Sequence, residues 1–358
     1  MGKLRNRVVG ISLTAALLVA SFAGTLPQKY ELIPSTTASA ASEWTGYTST
    51  GFIWQSSSYD YLLYLTATSD TTVAVSGCGT WSTDRDITIP ETATYGGKTY
   101  TVTSIADNAF KNQTNIKSVS GGLNVTTIGA SAFEGCSNLK FYSQTTYGRG
   151  GNVHLYRVNH HAFYNCSNLH DASIYDATII DDYAFANCTL LGKNDSPYAI
   201  GYRFNKLNTI GDYAFFRCSS LTELDMVDSY VPGIGKFAFA FSGLKHIELP
   251  GCTTIGESAF FSCASLKYVN IPVSVRLIEG GAFQCCSSLE KVIIPSSVSV
   301  IKSYAFNCCN ALKYAAINGT ECQIGEKAFG YIYSNKMSGF VLYGCGNGAK
   351  KTMPHPTA

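Results

Sequence analysis

The pair of side chains with the best spacing for acid–base chemistry is Asp225 and Glu248, which lie 23 residues apart. That interval is also the period of a pattern repeated along the chain, so we expect both carboxylates at one position on neighbouring parallel strands, about 4.8 Å apart. Retaining glycosidases hold two carboxyl groups about 5–5.5 Å apart. An open sheet face, however, neither desolvates a carboxyl group nor excludes water. We therefore predict no enzymatic activity, and we disfavour hydrolysis and weak cation binding at this pair.

Four histidines could supply nitrogen ligands to a metal, and they lie near Asp171 and Asp176 in the sequence: His154, His160, His161 and His170. His160 and His161 fall in a return segment, whereas His170 begins a strand, so we expect their side chains to point to different sides. The chain has no C-x-x-C pair or close Cys/His cluster, which structural zinc sites use. The sequence predicts no metal site and no cofactor.

An Ala-Phe pair recurs ten times and organises the rest of the chain. Successive repeat phenylalanines lie 21 to 30 residues apart, and the last three intervals are each 23 residues. A period in the twenties is typical of leucine-rich-repeat solenoids, in which each coil holds a short strand and a helical return. We predict that the ten rings stack as a buried core, each contributing about 1.5–3 kcal/mol by burial. The repeat phenylalanines are Phe110, Phe133, Phe163, Phe185, Phe215, Phe239, Phe260, Phe283, Phe306 and Phe329.

The segment Ile255–Pro272 contains both halves of one coil. Its L-x-x-V-x-I half, which ends at Ile271, alternates like a strand with one buried face, and Pro272 closes that strand. The other half places apolar residues at i, i+4, i+5 and i+8, which predicts one face of a short helix. Those residues are Ile255, Ala259, Phe260 and Cys263.

The run I-x-x-x-A-F-x-x-C-x-x-L-x-x-V-x-I-P resembles the BspA-like class of leucine-rich repeats, over roughly residues 84–345. The resemblance implies an α/β repeat solenoid, a right-handed superhelix with a parallel concave sheet, short helical or 3-10 convex segments and a β N-terminal cap. It also implies a secreted or cell-surface protein, typically bacterial, that adheres to host proteins or other cells and is not an enzyme. Ser242 and Gln113 depart from the pattern by replacing its Cys, and the strand after Leu191 is hard to recognise.

Residues 1–40 predict a secretory signal. Lys3, Arg5 and Arg7 precede an apolar run, and Ala38-Ser39-Ala40 provides a cleavage site. The long charged start resembles export signals of Gram-positive bacteria. A retained membrane anchor is the alternative, and no later stretch approaches the ~18 apolar residues that a spanning helix needs.

The remaining chain divides into three parts. Residues 41–100 predict an N-terminal β cap, with strands at Tyr61–Thr66 and Thr72–Ser76, and they contain the three tryptophans. These tryptophans either plug the open end of the solenoid or stack on a sugar. The repeats occupy residues 101–335, and a closing strand with a C-terminal tail occupies residues 336–358.

Two repeat intervals are 30 residues long, and the extra residues, within 141–158 and 192–207, have loop composition. Insertions in solenoids map to loops, often on the binding side. Both insertions carry tyrosine and arginine, the residue types favoured as interface anchors. Alternatively, the insertions have no partner. The residues predicted to bind are Tyr147, Arg149, Tyr156, Tyr198, Tyr202 and Arg203; Tyr142 and Arg157 share this composition.

The outward strand positions of the C-terminal coils are aromatic, basic and apolar. We predict a binding patch on the concave sheet formed by Tyr268, Lys291, Ile293 and Tyr314, with His246 at its edge. The alternative is a solvated sheet face in which tyrosine is favoured only by its β-propensity.

Charged residues make up only 14% of the chain and the net charge is +2, so we expect no nucleic-acid partner. We predict a non-enzymatic adhesion protein whose partner is an extracellular protein or glycan. A scaffold or targeting module of a secreted polysaccharide-degrading system is the alternative. The sequence leaves the oligomeric state open.

Thirteen cysteines in an exported chain suggest disulfides, but their positions indicate otherwise. Seven of them fall three residues after a repeat phenylalanine, an inward position where we expect reduced thiols that act as small hydrophobic side chains. Cys322 and Cys345, one coil apart, are the predicted candidates for a bridge. The seven inward cysteines are Cys136, Cys166, Cys188, Cys218, Cys263, Cys286 and Cys309.

Overall fold

The computed structural model describes residues 51–55, 61–79, 82–144, 155–193, 202–226, 228–330 and 341–344. These residues form 25 strands joined by turns. The predicted secretory signal, residues 1–40, lies outside them. Among the described residues, no helix is long and apolar enough to cross a bilayer.

Six strands precede the first repeat phenylalanine. β1, β2 and β3 pair antiparallel in that order, and β3 then pairs in parallel with β6. Leu63, Leu65, Val73 and Val75 are fully buried and belong to the same core as the repeats. Strands are therefore present at both positions predicted within residues 41–100. The six are β1 (Gly51–Gln55), β2 (Leu62–Ala67), β3 (Thr72–Cys78), β4 (Arg85–Ile89), β5 (Thr92–Tyr95) and β6 (Lys98–Ile105).

From β6 onward, each coil contributes a short parallel strand to one continuous sheet, which we call the ladder sheet. Each of its two-residue strands ends on the Ile or Val that lies five residues before the repeat phenylalanine. Neighbouring strands pair in equal register, as Ile255 with Ile278 and Ile278 with Ile301. The ladder strands are β8 (Thr127–Ile128), β10 (Arg157–Val158), β12 (Ile179–Ile180), β14 (Thr209–Ile210), β16 (Gly233–Ile234), β18 (Thr254–Ile255), β20 (Leu277–Ile278), β22 (Val300–Ile301) and β24 (Gln323–Ile324).

A second series, the face strands, comes from the L-x-x-V-x-I half of the coils. They pair in parallel, as predicted, but as four separate sheets, β4-β7-β9-β11, β13-β15, β17-β19 and β21-β23-β25. The first break, between β11 and β13, coincides with the second insertion. The face strands after β4 are β7 (Ile116–Gly121), β9 (Phe141–Ser143), β11 (Asp171–Ser173), β13 (Tyr202–Arg203), β15 (Leu224–Asp225), β17 (His246–Glu248), β19 (Tyr268–Asn270), β21 (Lys291–Ile294), β23 (Tyr314–Ile317) and β25 (Val341–Gly344).

The described return segments are chains of turns, so the predicted helical or 3-10 segments are not found there. Ile255, predicted to begin a helix, lies in a ladder strand. An α-helix directs each backbone N–H to a carbonyl four residues earlier. Here alternate N–H groups donate to the next coil instead, as from Phe260 to Ala282 O at 2.8 Å and from Ser262 to Gln284 O at 2.8 Å.

Left-handed residues also exclude a helix from the returns. All 17 non-glycine residues of positive φ in the described chain lie two residues before or two residues after a repeat phenylalanine. Single residues visit this conformation, but runs of right-handed helix do not continue through it. Each coil therefore turns a corner on either side of its Ala-Phe pair.

The ten repeat phenylalanines form one column of rings through the core. Consecutive ring centroids are 5.0 to 5.4 Å apart and the ring planes lie within 8° of parallel. All ten side chains are buried. The predicted aromatic core is confirmed, because backbone pairing sets a coil spacing close to the distance at which rings stack.

The seven cysteines that follow the repeat phenylalanines are buried thiols, as expected. Each Sγ donates to the carbonyl oxygen of the phenylalanine one coil earlier, as Cys286 does to Phe260 at 3.1 Å and Cys309 to Phe283 at 3.1 Å. Ser242, which replaces the cysteine, is also buried, with its Oγ 3.3 Å from Cys263 Sγ. The cysteine position therefore forms a second column, made of small side chains that hydrogen-bond to the neighbouring coil.

Adjacent phenylalanines of one coil provide a matched test of the column. Phe260 stacks between Phe239 and Phe283, whereas Phe261 lies half-buried at the corner. We expect Phe260→Ala to lower the free energy of unfolding by about 3–5 kcal/mol, because it leaves a cavity in the column. Phe261→Ala is expected to lower the free energy of unfolding by less than half as much as Phe260→Ala. Urea denaturation followed by circular dichroism measures the free energy of unfolding of both variants. Equal losses would contradict the prediction that the stacked column contributes more stability than the corner ring.

Stability is also expected to fall at alkaline pH. Burial raises the pKa of Cys78 to about 12 and those of Cys252 and Cys263 to about 11. An unfolded thiol ionises near pH 8.5, so these groups stabilise the fold fully below that pH, and their contribution is lost as pH rises towards the folded-state pKa. Each thiol removes about 1.4 kcal/mol per pH unit in this range.

Urea midpoints between about pH 8.5 and 9.5, below the tyrosine range, measure this dependence. Cys263→Ala removes one such thiol and is expected to flatten the fall in stability with pH. Val298→Ala deletes a buried non-titrating side chain and should lower stability without changing the slope. An unchanged slope in Cys263→Ala would show that the buried thiol does not carry the effect.

Candidate functional site

Four face residues form one row across four coils. His246 is in register with Tyr268 on β17 and β19, and Lys291 is in register with Tyr314 on β21 and β23. The two pairs meet where the Lys291 ammonium lies over the Tyr268 ring, 6.0 Å from its centroid. All four side chains are exposed because alternate residues of a half-buried strand face solvent.

Ile293 extends this row by a second apolar side chain. It is 51% exposed, and its register partner is the small Ala316. Tyr268 is 48% and Tyr314 37% exposed. The structure therefore brings the five predicted residues onto neighbouring strands, and we call His246, Tyr268, Lys291, Ile293 and Tyr314 the face patch.

Lysines border the face patch at the position just after the repeat leucine. Lys245, Lys267 and Lys313 are exposed there, and Glu290 takes the same position on the intervening coil. The C-terminal part of the face therefore combines aromatic rings with a predominance of positive charge.

Asp225 and Glu248, the carboxylate pair considered for catalysis, line one open cleft of about 350 Å³ beside the patch. Glu223, His246 and Asn270 complete its polar lining. Within the described residues, no three or more His, Cys, Asp or Glu side chains are grouped so as to hold a metal ion. The cleft therefore places acidic side chains next to the face patch.

The described histidines of this group lie at separate places. His170 is buried, with its ring edge-on to Phe141 at 6.0 Å. His160 and His161 lie in a return segment with ring centroids 5.7 Å apart. His154 lies outside the described residues.

The predicted insertion residues fall in several places. Tyr147, Arg149 and Tyr198 lie outside the described residues, as does Cys345 of the predicted bridge. Tyr202 and Arg203, assigned to a loop, form the face strand β13 paired with β15. That assignment is wrong, because this coil's face strand comes after its insertion.

Three other insertion residues lie in the core or in and next to the ladder sheet. Tyr142 is buried and packs edge-on between Phe133 and Phe163, so it is not a surface anchor. Arg157 lies on a ladder strand and pairs with Asp181 at 2.7 Å. Tyr156 is 54% exposed, and its backbone N–H donates to Thr126 O at 2.7 Å, which places it directly before the ladder strand β10.

A group of aromatic side chains that the sequence analysis missed lines one corner of the coils, and we call it the corner ridge. Four rings stack face to face on successive coils, at the position two residues before the repeat phenylalanine. Their centroids are 4.6 to 5.1 Å apart, with planes within 13° of parallel. The four are His161, Tyr183, Tyr213 and Phe237, and Tyr164, Phe216, Phe241 and Phe261 pack edge-on beside them.

Arg217 adds a cation to the corner ridge. Its guanidinium lies 5.3 Å from the Phe216 ring centroid and 5.7 Å from that of Phe241. Burial lowers the pKa of His161, against the opposing charge of Glu134, so the imidazole that stacks on Tyr183 is neutral at physiological pH. A second cation, the Lys236 ammonium, lies 5.8 Å from the Phe237 ring centroid.

The corner ridge has a sequence signal, since the position two residues before the Phe is aromatic in four consecutive coils. These bulky residues have φ values of 52° to 57°. Aromatic side chains are costly in that left-handed region. Stacking on neighbouring coils offsets part of this cost.

Repeated coils of a ladder strand, a turned return and a face strand define a leucine-rich-repeat solenoid. The profile of the BspA type Leucine rich repeat region matches residues 98–197, 141–253 and 208–337, in six copies. The chain belongs to the BspA-type leucine-rich-repeat family. No curated protein matches it.

The chain is similar to several solved structures of bacterial proteins. A leucine rich cell surface protein from Faecalibacterium prausnitzii A2-165 is 24% identical, with a TM-score of 0.51 over 77% of this chain and 73% of that one. A leucine-rich repeat protein from Bacteroides ovatus is 24% identical, with a TM-score of 0.39 over 75% and 78% of the two chains. The pneumococcal vaccine antigen PcpA is 18% identical, with a TM-score of 0.33 over 80% and 89%.

Proposed function

We propose that this protein is an exported, non-enzymatic binding protein of the bacterial surface or medium. In this proposal, it holds an extracellular protein or glycan on the face patch, and so mediates adhesion to host or other cells. The observation that carries the proposal is the row His246–Tyr268–Lys291–Tyr314, in which two tyrosine rings and a cation are exposed on two neighbouring parallel sheets. Tyrosine and basic side chains on a rigid support bind partners at low entropic cost.

Export is supported by the charged start, apolar run and A-x-A site of residues 1–40. The Faecalibacterium protein of similar fold is described as a cell surface protein. After cleavage at this site, residues 41–100 would begin the mature chain. In the proposal, strands β1 to β3 act as its cap, covering the apolar end of the first coil, as solenoids require.

The partner's charge follows from the surroundings of the patch. Lys245, Lys267, Lys291 and Lys313 favour an anionic or hydroxyl-rich surface, and the tyrosine rings provide faces for stacking. A neutral polysaccharide would fit the alternative function, a targeting module of a secreted polysaccharide-degrading system.

The corner ridge is the second candidate surface, favoured by its eight packed aromatic rings and by Arg217. Its stacked rings turn edges outward and cover each other's faces. It is therefore less suited than the face patch to stacking on a sugar, and better suited to protein contact.

A binding screen with matched tyrosine variants tests the face patch. The secreted protein is applied to a glycan array and to immobilised extracellular protein fractions, and a hit is titrated by biolayer interferometry. Tyr268→Ala combined with Tyr314→Ala is expected to weaken binding at least about tenfold, because exposed tyrosines are frequent hot spots. Tyr230→Ala, an exposed tyrosine outside the patch, is expected to bind like the unmodified protein.

A ridge variant decides between the two surfaces. Tyr213→Ala combined with Phe241→Ala is expected to leave affinity unchanged. Loss of affinity in this variant alone would move the site to the corner ridge. Unchanged affinity in both double variants would contradict both surfaces and favour the insertions that contain Tyr147 and Tyr198.

A further inference from the structure

Two further cysteines occupy equivalent positions on neighbouring coils. Cys285 and Cys308 each lie two residues after a repeat phenylalanine, 23 residues apart, on the eighth and ninth coils. Other coils place Asn, Gly, Arg, Phe, Ser or Tyr at this position. Both thiols are partly exposed at the corner of the return segment, whereas Cys286 and Cys309, the next residues, are fully buried.

Side chains at this corner position meet from coil to coil. An earlier pair at the same position, on the third and fourth coils, is Asn165 and Asn187, where Nδ2 of Asn187 donates to Oδ1 of Asn165 at 2.8 Å. The backbone geometry is conserved between the pairs, since all four residues have φ values of 59° to 64°. The corner therefore brings equivalent side-chain ends into direct contact.

The cysteine pair shows the same contact. The backbone N–H of Cys285 donates to Asn307 O at 2.8 Å, which fixes the two returns side by side. The Cys285 and Cys308 thiols hydrogen-bond each other. Chains paired by such backbone hydrogen bonds lie about 4.8 Å apart, which is within the Cα separation of 4.4–6.8 Å that disulfides span.

The buried thiols of these two coils do not contact each other in this way. Cys286 and Cys309 each direct Sγ to the carbonyl oxygen of a phenylalanine on the preceding coil, at 3.1 Å. Both are covered on all sides. A reagent that reaches the corner therefore meets Cys285 and Cys308 before it meets any buried thiol of these two coils.

We propose that Cys285 and Cys308 are an oxidisable pair that forms a reversible disulfide between the eighth and ninth coils. The expectation of reduced thiols concerns the inward cysteines, and this proposal concerns the corner position. The bond joins residues 23 positions apart, so it restricts the unfolded chain and stabilises the C-terminal coils. Its occurrence in the cell rests on the proposed export to an oxidising compartment.

The oxidant is a disulfide, either of a protein or of a small molecule. One thiol, after losing its proton, attacks the oxidant's S–S bond and forms a mixed disulfide, releasing one thiolate. The second cysteine thiolate then attacks the mixed disulfide and releases the other. Two cysteine thiols lose two protons and two electrons, and the oxidant is reduced to two thiols.

Peptide mapping of the purified protein tests the pair. The native protein is incubated with oxidised glutathione, alkylated without reductant, unfolded and digested with trypsin. A cross-linked peptide joining residues 277–291 to 303–313 is expected, two hydrogens lighter than the separate peptides combined. Reduction is expected to abolish it and to lower the unfolding temperature by a few degrees.

Serine variants assign the bond within the two Cys-Cys doublets. Cys285→Ser and Cys308→Ser are each expected to lose the cross-link, to expose the remaining corner thiol to native alkylation and to unfold at the same temperature with or without reductant. Cys322→Ser, which removes another partly exposed thiol, is expected to keep the bond. A cross-link that persists in Cys308→Ser, or corner thiols that stay fully alkylatable after glutathione treatment, would overturn the proposal. Because the purified protein is used, neither result depends on export or on the face patch.

Discussion

The backbone hydrogen bonds between neighbouring coils are the interaction on which the rest of this structure depends. They run through the ladder sheet and continue through the returns, where alternate N–H groups donate to the next coil. Such pairing fixes neighbouring chains about 4.8 Å apart. Every position of one coil is thereby set beside the same position of the next. A side chain on this protein has its own equivalents as its nearest neighbours.

This rule explains both the interior and the surface. Inside, it aligns phenylalanine with phenylalanine and lets each cysteine reach the carbonyl one coil earlier. At the corner, it aligns His161, Tyr183 and Tyr213 into an external stack that mirrors the internal column. On the face, it sets Lys291 against Tyr268. Because one spacing governs all these columns, a cluster of like side chains arises wherever one residue type recurs at one position.

The sequence revealed the parts of the fold that repeat strictly. The Ala-Phe period located the core rings and the inward cysteines, since burial restricts those positions to a few residue types. The prediction of helical return segments was wrong because the i, i+4 spacing, as between Ile255 and Ala259, also occurs when a strand leads into a turn. That spacing does not distinguish hydrogen bonds to the next coil from hydrogen bonds within a helix. The face strand at Tyr202 was missed because an insertion displaced it.

Surface columns were only partly predictable, because their residue types change from coil to coil. The face patch follows from its fixed spacing to the repeat leucine, whereas the corner ridge lies at a position whose residue type varies along the chain. Left-handed backbone at Tyr183 and Tyr213 also gives no signal by residue type, since glycine and asparagine are its usual occupants. Aligning all positions of the unit, rather than its conserved ones, recovers these columns.

The constant 23-residue interval of the last coils has a consequence for how such a chain changes over generations. The coils from Phe260 to Phe329 are joined by equivalent bonds in equal register. Duplication or loss of one whole unit in the gene would therefore bring together ends that already match. The molecule can lengthen or shorten by one winding while the remaining windings keep their partners, so its length can vary without disturbing the side-chain columns of the windings that remain.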